Sequence, residues 1–343
     1  MKHRKWTGLL AATVTVAGMA WADAGPVPVP TPQELRPGVW MIPGGMLPGR
    51  QPDGNSVIFQ APGGLVVVDT GRHAWHREAI LDLAKTLGQD IVAVVNTHWH
   101  LDHVSGNPAL RAVFPELVVY ASDGIDGALS GFLARSASSA AAYLDDPRIA
   151  EEMRGDIRGD LATIQNGTAL RPDVVISASS PMTLGGRTLR INLAPNAATS
   201  GDIWLFDERT RVAVLGDLVT LPAPFLDTAC PDGWRLALVQ VAATDFELAI
   251  PGHGAAMNRA QFLAYRGAFD AFIDCANSDR PQDECTSGWA ESVQPLLGND
   301  PLERQRAKDF AAYYVEILRA NGGRSEYCKS GSDANGASPV PMH

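Results

Sequence analysis

Short apolar runs, alternating or β-branched, recur along the first two thirds of the chain with polar turns between them. Residues 38-GVWMI-42, 56-SVIFQ-60 and 65-LVVVD-69 read as strands, and the Pro-Gly-Gly at 62–64 joins the last two as a hairpin. In 74-AWHREAILDLAKTL-87, Ile80, Leu81, Ala84 and Leu87 fall at helical spacing, and Gly88 ends the pattern. The β-branched run 91-IVAVV-95 reads as a buried strand, and 117-LVVYA-121 continues the strand pattern. From 124 to about 166 the chain is rich in Ala, Ser and charge, which predicts a helical insertion. Strand signals resume at 188-TLRINLA-194, 202-DIWLF-206 and 212-VAVLG-216, with a turn at 207-DERT-210. Residues 235-RLALVQVAA-243 look helical, 246-FELAI-250 reads as a strand, and 258 to about 320 as helices around a Cys-bearing loop. The tail 329–343 reads as disordered. Strands alternating with helices give an α/β class.

The N-terminus adds a compartment. Lys2 to Lys5 are basic, Trp6 to Met19 form an uncharged and mostly apolar run, and 20-AWA-22 is a small-x-small cleavage site. That order predicts a signal peptide over 1–22, followed by a Pro-rich linker over 23–37 and export to the periplasm or medium. The apolar run is short for a hydrocarbon layer of about 30 Å, and no later segment approaches a span, so stable membrane insertion is not expected. The net charge of −10 argues against nucleic acid as a partner. The expected partner is a small-molecule substrate. Four cysteines, Cys230, Cys275, Cys285 and Cys328, allow three disulfide pairings. The short spacing favours Cys275 with Cys285, and no Cys-x-x-Cys pair suggests a structural zinc.

Candidate chemistry concentrates in 95-VNTHWHLDHVSG-106, where three of the eight histidines and an aspartate occupy six residues. The cluster follows a buried strand, so it lies on a loop leaving a strand end, where α/β folds place ligands. Asp69, Asp217 and His253 also stand at predicted strand ends, so all could meet at one sheet edge. Imidazole and carboxylate together suit zinc, with iron or manganese as lesser candidates. His73 and His76 have no metal-like company along the chain. Trp99, Trp204 and Trp234 are candidate pocket walls, with buried core the expected place for at least Trp204. No Gly-x-Ser-x-Gly nucleophile elbow is present, so covalent catalysis is not the expected route.

The stretch 98-HWHLDH-103 resembles the His-x-His-x-Asp-His signature of the metallo-β-lactamase superfamily, and 65-LVVVDTG-71, 215-LGDLV-219 and 251-PGHG-254 resemble its other loops in order. The resemblance implies a four-layer αββα sandwich over 38–257, carrying the insertion at about 124–166 and a helical C-terminal extension over 258–328. It implies a first metal held by His98 and His100, a second by Asp102, His103 and His253, Asp217 bridging them, and Asp69 orienting the ligands. The family's His-Thr-x-Gly-Asp loop reads 194-APNAATSGD-202 here, so Ala198 stands where a third first-site histidine is usual, with Asn196 nearby. One tight zinc and a weaker second are therefore expected. The implied activity is hydrolysis of a small ester, lactone, thioester or lactam by metal-bound hydroxide, with Asp102 holding the water and passing its proton on. The alternative is a degenerate periplasmic protein that binds metal or a metabolite without turnover. The stretch 217-DLVTLPAPFLDTACPDGW-234 also resembles secreted zinc metallohydrolases found beside quinoprotein relay systems.

Overall fold

The computed structural model describes residues 29–298 and 301–328. The expected signal peptide and the 329–343 tail lie outside the described residues, as does the start of the Pro-rich segment. The end of that segment is not a linker: Gln33–Arg36 forms an edge strand, β1, antiparallel to Val39–Ile42, β2. The first sheet continues in chain order through β3 (Ser56–Ala61), β4 (Gly64–Val68), β5 (Ile91–Val95), β6 (Val118–Ala121) and β7 (Val174–Val175). The β3–β4 hairpin closes with Ala61 opposite Gly64, and pairing is parallel from β4 onward. The second sheet contains β8 (Ser180–Leu184), β9 (Arg187–Pro195), β10 (Gly201–Asp207), β11 (Val212–Thr220), β12 (Leu248–His253) and β13 (Met257–Asn258). Only β11 and β12 run parallel in it.

Period-two alternation decides what each strand covers. Val66 and Val68 face inward, packing with Ile203, Leu205, Val212 and Val214 between the sheets. Leu65 and Val67 face the opposite way, onto Ile80, Leu83 and Ala84 of α1 (Ala74–Leu87) and Leu110. Each such fully buried aliphatic contributes about 1.5–3 kcal/mol. α1 ends at Gly88 in the left-handed conformation, whose N–H closes onto the Lys85 carbonyl. Two short helices follow β5, α2 (Leu101–Val104) and α3 (Asn107–Val113). The insertion forms α4 (Gly124–Ser130), α5 (Phe132–Leu144) and α6 (Glu151–Gln165).

The outer face of the second sheet is covered by α7 (Pro231–Ala242) and α8 (Arg259–Ala276), with α9 (Gln282–Val293) and α10 (Pro301–Ala320) packed against α8. Trp204, Trp234, Phe262, Tyr265, Phe269 and Trp289 share one core there, so the C-terminal helices complete the fourth layer. Trp204 and Trp234 are thus core residues, and Trp204 also reaches a surface cleft beside the β10–β11 turn. Helix α7 starts earlier than the apolar pattern predicts because Pro231 occupies its first turn, where a missing N–H costs nothing. Disulfides join Cys275 to Cys285, and Cys230 to Cys328 across the chain. Among the described residues no helix is long and apolar enough to cross a membrane. The two disulfides point to a non-cytoplasmic compartment.

Candidate metal centre

Parallel pairing sets Val68 beside Val95 and Thr220 beside His253, so β4 and β5 end together, as do β11 and β12. The β9–β10 turn carrying Ala198 reaches the Asp217 end of the second sheet, because β10 runs antiparallel to β11. Asn55 fixes the loop after β12 by donating to the carbonyls of Pro251 and Gly254. Gly252 lets that loop cross Asp217: a Cβ there would overlap Asp217 Oδ1.

The six expected residues, His98, His100, Asp102, His103, Asp217 and His253, converge on one buried cluster. His98 Nε2 lies 2.9 Å from His100 Nδ1 and 3.5 Å from Asp217 Oδ2, and His100 Nδ1 lies 3.8 Å from that oxygen. On the other side, His103 Nε2 is 3.3 Å from His253 Nε2 and 3.2 Å from Asp217 Oδ1, and Asp102 Oδ2 is 3.1 Å from His253 Nε2. His103 is shared between two close sets: its ligand atom lies within 4.8 Å of those of His98 and Asp217, and likewise of those of Asp102 and His253.

This donor set fits a divalent metal. Ligands about 2.0–2.1 Å from a tetrahedral zinc stand about 3.3–3.4 Å apart, the scale of the spacings here. Asp217 Oδ1 is buried without a hydrogen-bond partner between two imidazoles, an arrangement a cation would relieve. The outward ring nitrogens of His98, His100 and His103 are tied. His103 Nδ1 lies 2.8 Å from Asp69 Oδ2, and His98 Nδ1 lies 2.9 Å from Thr97 Oγ1, which donates to the same Asp69 oxygen. His100 Nε2 lies 3.0 Å from Thr228 Oγ1, which donates to the Ala198 carbonyl. Each tether turns the other nitrogen inward. Asp69 adopts a positive φ of 60° and also accepts from the Thr97 N–H.

Electrostatics separate the two halves. Burial, then His98, pushes the His100 pKa down to about 4, so this ring is neutral and ready to coordinate. Burial also disfavours charge on His103, but Asp217, Asp69 and Asp102 outweigh it and hold its pKa well above the ordinary value. His253 is raised by Asp217 and Asp102 against the same burial penalty. Asp217 and Asp102 are lowered, burial being outweighed by His103 and His253 in both. A metal must therefore displace protons from His103 and His253. Its affinity is expected to fall from about pH 8 to about pH 6, with proton release measurable by calorimetry in buffers of different ionisation enthalpy. The metal-free fold should show the opposite trend. A raised histidine pKa adds stability fully present below the unfolded value of about 6.5 and lost as pH rises through the folded one. The thermal stabilisation by metal should consequently grow with pH; a gain independent of pH would contradict this.

Several neighbours lie outside the expected ligand set. Arg72 lies 3.7 Å from Asp102 Oδ1 and bonds Asp160 of α6 at 2.5 Å. His73, which has no metal-like company along the chain, lies 2.6 Å from Asp53 and 3.2 Å from Asp156 in the fold. His76 pairs with Ser56. Arg72 directly follows 65-LVVVDTG-71, which could have flagged it, whereas the partners of His73 lie 20 and 83 residues away in sequence. On the His100 side the wall is aromatic: Trp99 and Phe225 stand 4.6 and 5.0 Å from its ring, and Phe132 packs on both. The Asn196 side chain makes no hydrogen bond with the cluster among the described residues. Two other surface clefts lie around the β10–β11 turn, at the far end of those strands.

The Metallo-beta-lactamase superfamily profile matches residues 49–253, which span every residue of the cluster. The chain belongs to the metallo-β-lactamase superfamily. Within that superfamily it is 46% identical over 54 residues to a hydroxyacylglutathione hydrolase of Synechococcus sp. (strain JA-3-3Ab), 16% of this chain and 21% of that protein. A linear primary-alkylsulfatase of Pseudomonas sp. (strain ATCC 19151) is 26% identical over 221 residues, 57% of this chain and 40% of its own. The chain thus matches well under two thirds of the length of these relatives. Among solved structures, a metallo-β-lactamase from Pontibacter korlensis aligns with a TM-score of 0.51 and 19% identity, covering 70% of this chain and 99% of its own. A stereoselective inverting sec-alkylsulfatase from Pseudomonas sp. aligns with a TM-score of 0.56 and 19% identity, covering 91% of this chain and 52% of its own. These structural likenesses establish the shared fold.

Proposed function

We propose that this chain is an exported, zinc-dependent hydrolase of a small ester, lactone, thioester or lactam. The observation that carries the reading is the single buried cluster in which Asp217 faces both imidazole sets. His98, His100 and Asp217 would hold the first ion, and Asp102, His103, His253 and Asp217 the second. Bound there, zinc supplies an acidified water at neutral pH and Lewis acidity toward a substrate oxygen. With Ala198 in the β9–β10 loop, the first ion would have His98, His100 and Asp217 as its protein ligands and would be the weaker one.

The protein's own groups have distinct tasks. Asp102 is held ionised by His103, His253 and Arg72. It therefore accepts a hydrogen bond from an attacking water and orients it; as a weak base, it stores the proton poorly. The aromatic wall of Trp99, Phe132 and Phe225 excludes water beside His100 and suits an apolar acyl or alkyl group, while the Arg72 side is charged. A sulfate ester is the second reading, because the alkylsulfatase likeness extends through 91% of this chain.

The test is purified, zinc-loaded protein assayed against ester, lactone, thioester, β-lactam and alkyl sulfate substrates beside its Asp102→Asn variant. Turnover of one class, lost about 100-fold or more in the variant, is expected from removal of a positioned water acceptor. Metal uptake with no turnover of any class would favour a binding protein instead. Export predicts that protein recovered from the periplasm begins near Asp23, with all four cysteines oxidised. Recovery of a full-length chain in the cytoplasm would contradict it.

A further inference from the structure

We infer that Thr228 is a positioning residue for the first metal site, and that the C-terminal segment is what holds it in place. The inference rests on the reading of His98, His100 and Asp217 as that site. His98 and His103 are both steadied through the Asp69 carboxylate, directly or through Thr97. His100 has no carboxylate behind it. Its Nε2 instead lies 3.0 Å from Thr228 Oγ1, and that hydroxyl donates to the Ala198 carbonyl at 2.9 Å. Because the hydroxyl proton is committed to a carbonyl, the hydroxyl oxygen accepts the His100 Nε2–H. Nδ1 is then the bare nitrogen, 2.9 Å from His98 Nε2. The loop that carries no imidazole at position 198 thus still serves the site through its backbone.

Thr228 lies in an irregular stretch between β11 and α7, 128 residues from the ring it orients. Six tethers fix that stretch. Asp227 accepts from the hydroxyls of Tyr313 at 2.8 Å and Tyr314 at 3.4 Å, both on α10. Ser325 donates from its hydroxyl to the Asp227 carbonyl and from its N–H to that of Ala229. The Cys230 N–H donates to the Ala197 carbonyl, and the Cys230–Cys328 disulfide ties the stretch to the chain's last described residue. Helix α10 and Ser325 to Cys328 therefore reach the first site through Asp227 and Thr228, while no comparable tether runs to His103 or His253 among the described residues.

The test compares Thr228→Val, which keeps the shape and removes the hydroxyl, with Thr228→Ser, which keeps the hydroxyl. Two readouts are taken on the full mature chain: cobalt titration of both sites, and the nitrogen chemical shifts of His100 in metal-free protein, which report its tautomer. The valine variant should bind the weaker ion about 10–100-fold less tightly, the scale expected when an imidazole loses its outer partner, with the tight ion unchanged. Its His100 should show a mixture of tautomers, and the serine variant should restore both readouts. A Cys230→Ser/Cys328→Ser double variant should weaken the same ion in the same direction. Retention of the His100 tautomer and of first-ion affinity in the valine variant would overturn the inference, as would equal weakening of both ions. The tautomer readout needs no metal: a chain that binds no second ion, yet whose valine variant scrambles His100, would overturn the first-site reading and leave Thr228 as its positioner.

Discussion

Replacing Asp217 with asparagine is expected to weaken both ions together, by at least the 10–100-fold seen when outer partners alone are lost. Asp217 is the one carboxylate facing both halves, 3.5 Å from His98 through Oδ2 and 3.2 Å from His103 through Oδ1. An amide supplies one poor ligand oxygen and turns an NH2 toward the other half. The metal-free protein should suffer as well. His103 and His253 keep their protons largely because Asp217 is ionised, and breaking a buried charge pair costs about 3–5 kcal/mol. Part of that cost is relieved when the imidazoles deprotonate, so the loss of thermal stability should be greatest at low pH. Chelator competition and unfolding curves across pH measure both effects. Loss of one ion with the other untouched would rule out Asp217 as the shared group.

Restoring an imidazole with Ala198→His is expected to act in the opposite direction and on one site only. The backbone of residue 198 lies two hydrogen bonds from His100, through Thr228, so a side chain there starts close to the first site. A fourth protein ligand should tighten the weaker ion at least about 10-fold and leave the tight ion unchanged, provided its ring nitrogen reaches about 2.0–2.1 Å from zinc. Ala198 is fully buried, so the larger side chain should cost the metal-free fold about 1–3 kcal/mol through overpacking. Turnover should fall if the substrate uses the open position. The same metal affinities with a destabilised fold would place residue 198 away from the ions.

The sandwich and the core of the site were legible for a common reason: their signals are local. Leu65 to Val68 alternate faces within four residues, and 98-HWHLDH-103 concentrates its donors in six. What escaped the sequence is either weakly apolar or distant. Strands β1, β7 and β8 are short edge segments; Val174 and Val175 are both exposed, so no alternation marks them. Strand β12 extends to His253, beyond the expected end at Ile250, because pairing with β11 continues past Pro251. The C-terminal helices looked like an added extension, yet Phe262 and Phe269 are as deeply buried as Trp204. The supports of the site, Thr228 behind His100 and Arg72 beside Asp102, are single polar residues made relevant by the fold. Arg72 at least adjoins the 65-LVVVDTG-71 loop, whereas nothing in the sequence around Thr228 announces its contact.

Metal stoichiometry of the unaltered mature chain tests the central claim most directly. Zinc is titrated into metal-free protein against a calibrated chelator near neutral pH, and bound ions are counted by native mass spectrometry. Asp102, His103, His253 and Asp217 on one side, against His98, His100 and Asp217 with Ala198 on the other, predict one tight ion and a second held at least about 10-fold more loosely. Two ions of equal affinity, or none, would contradict it.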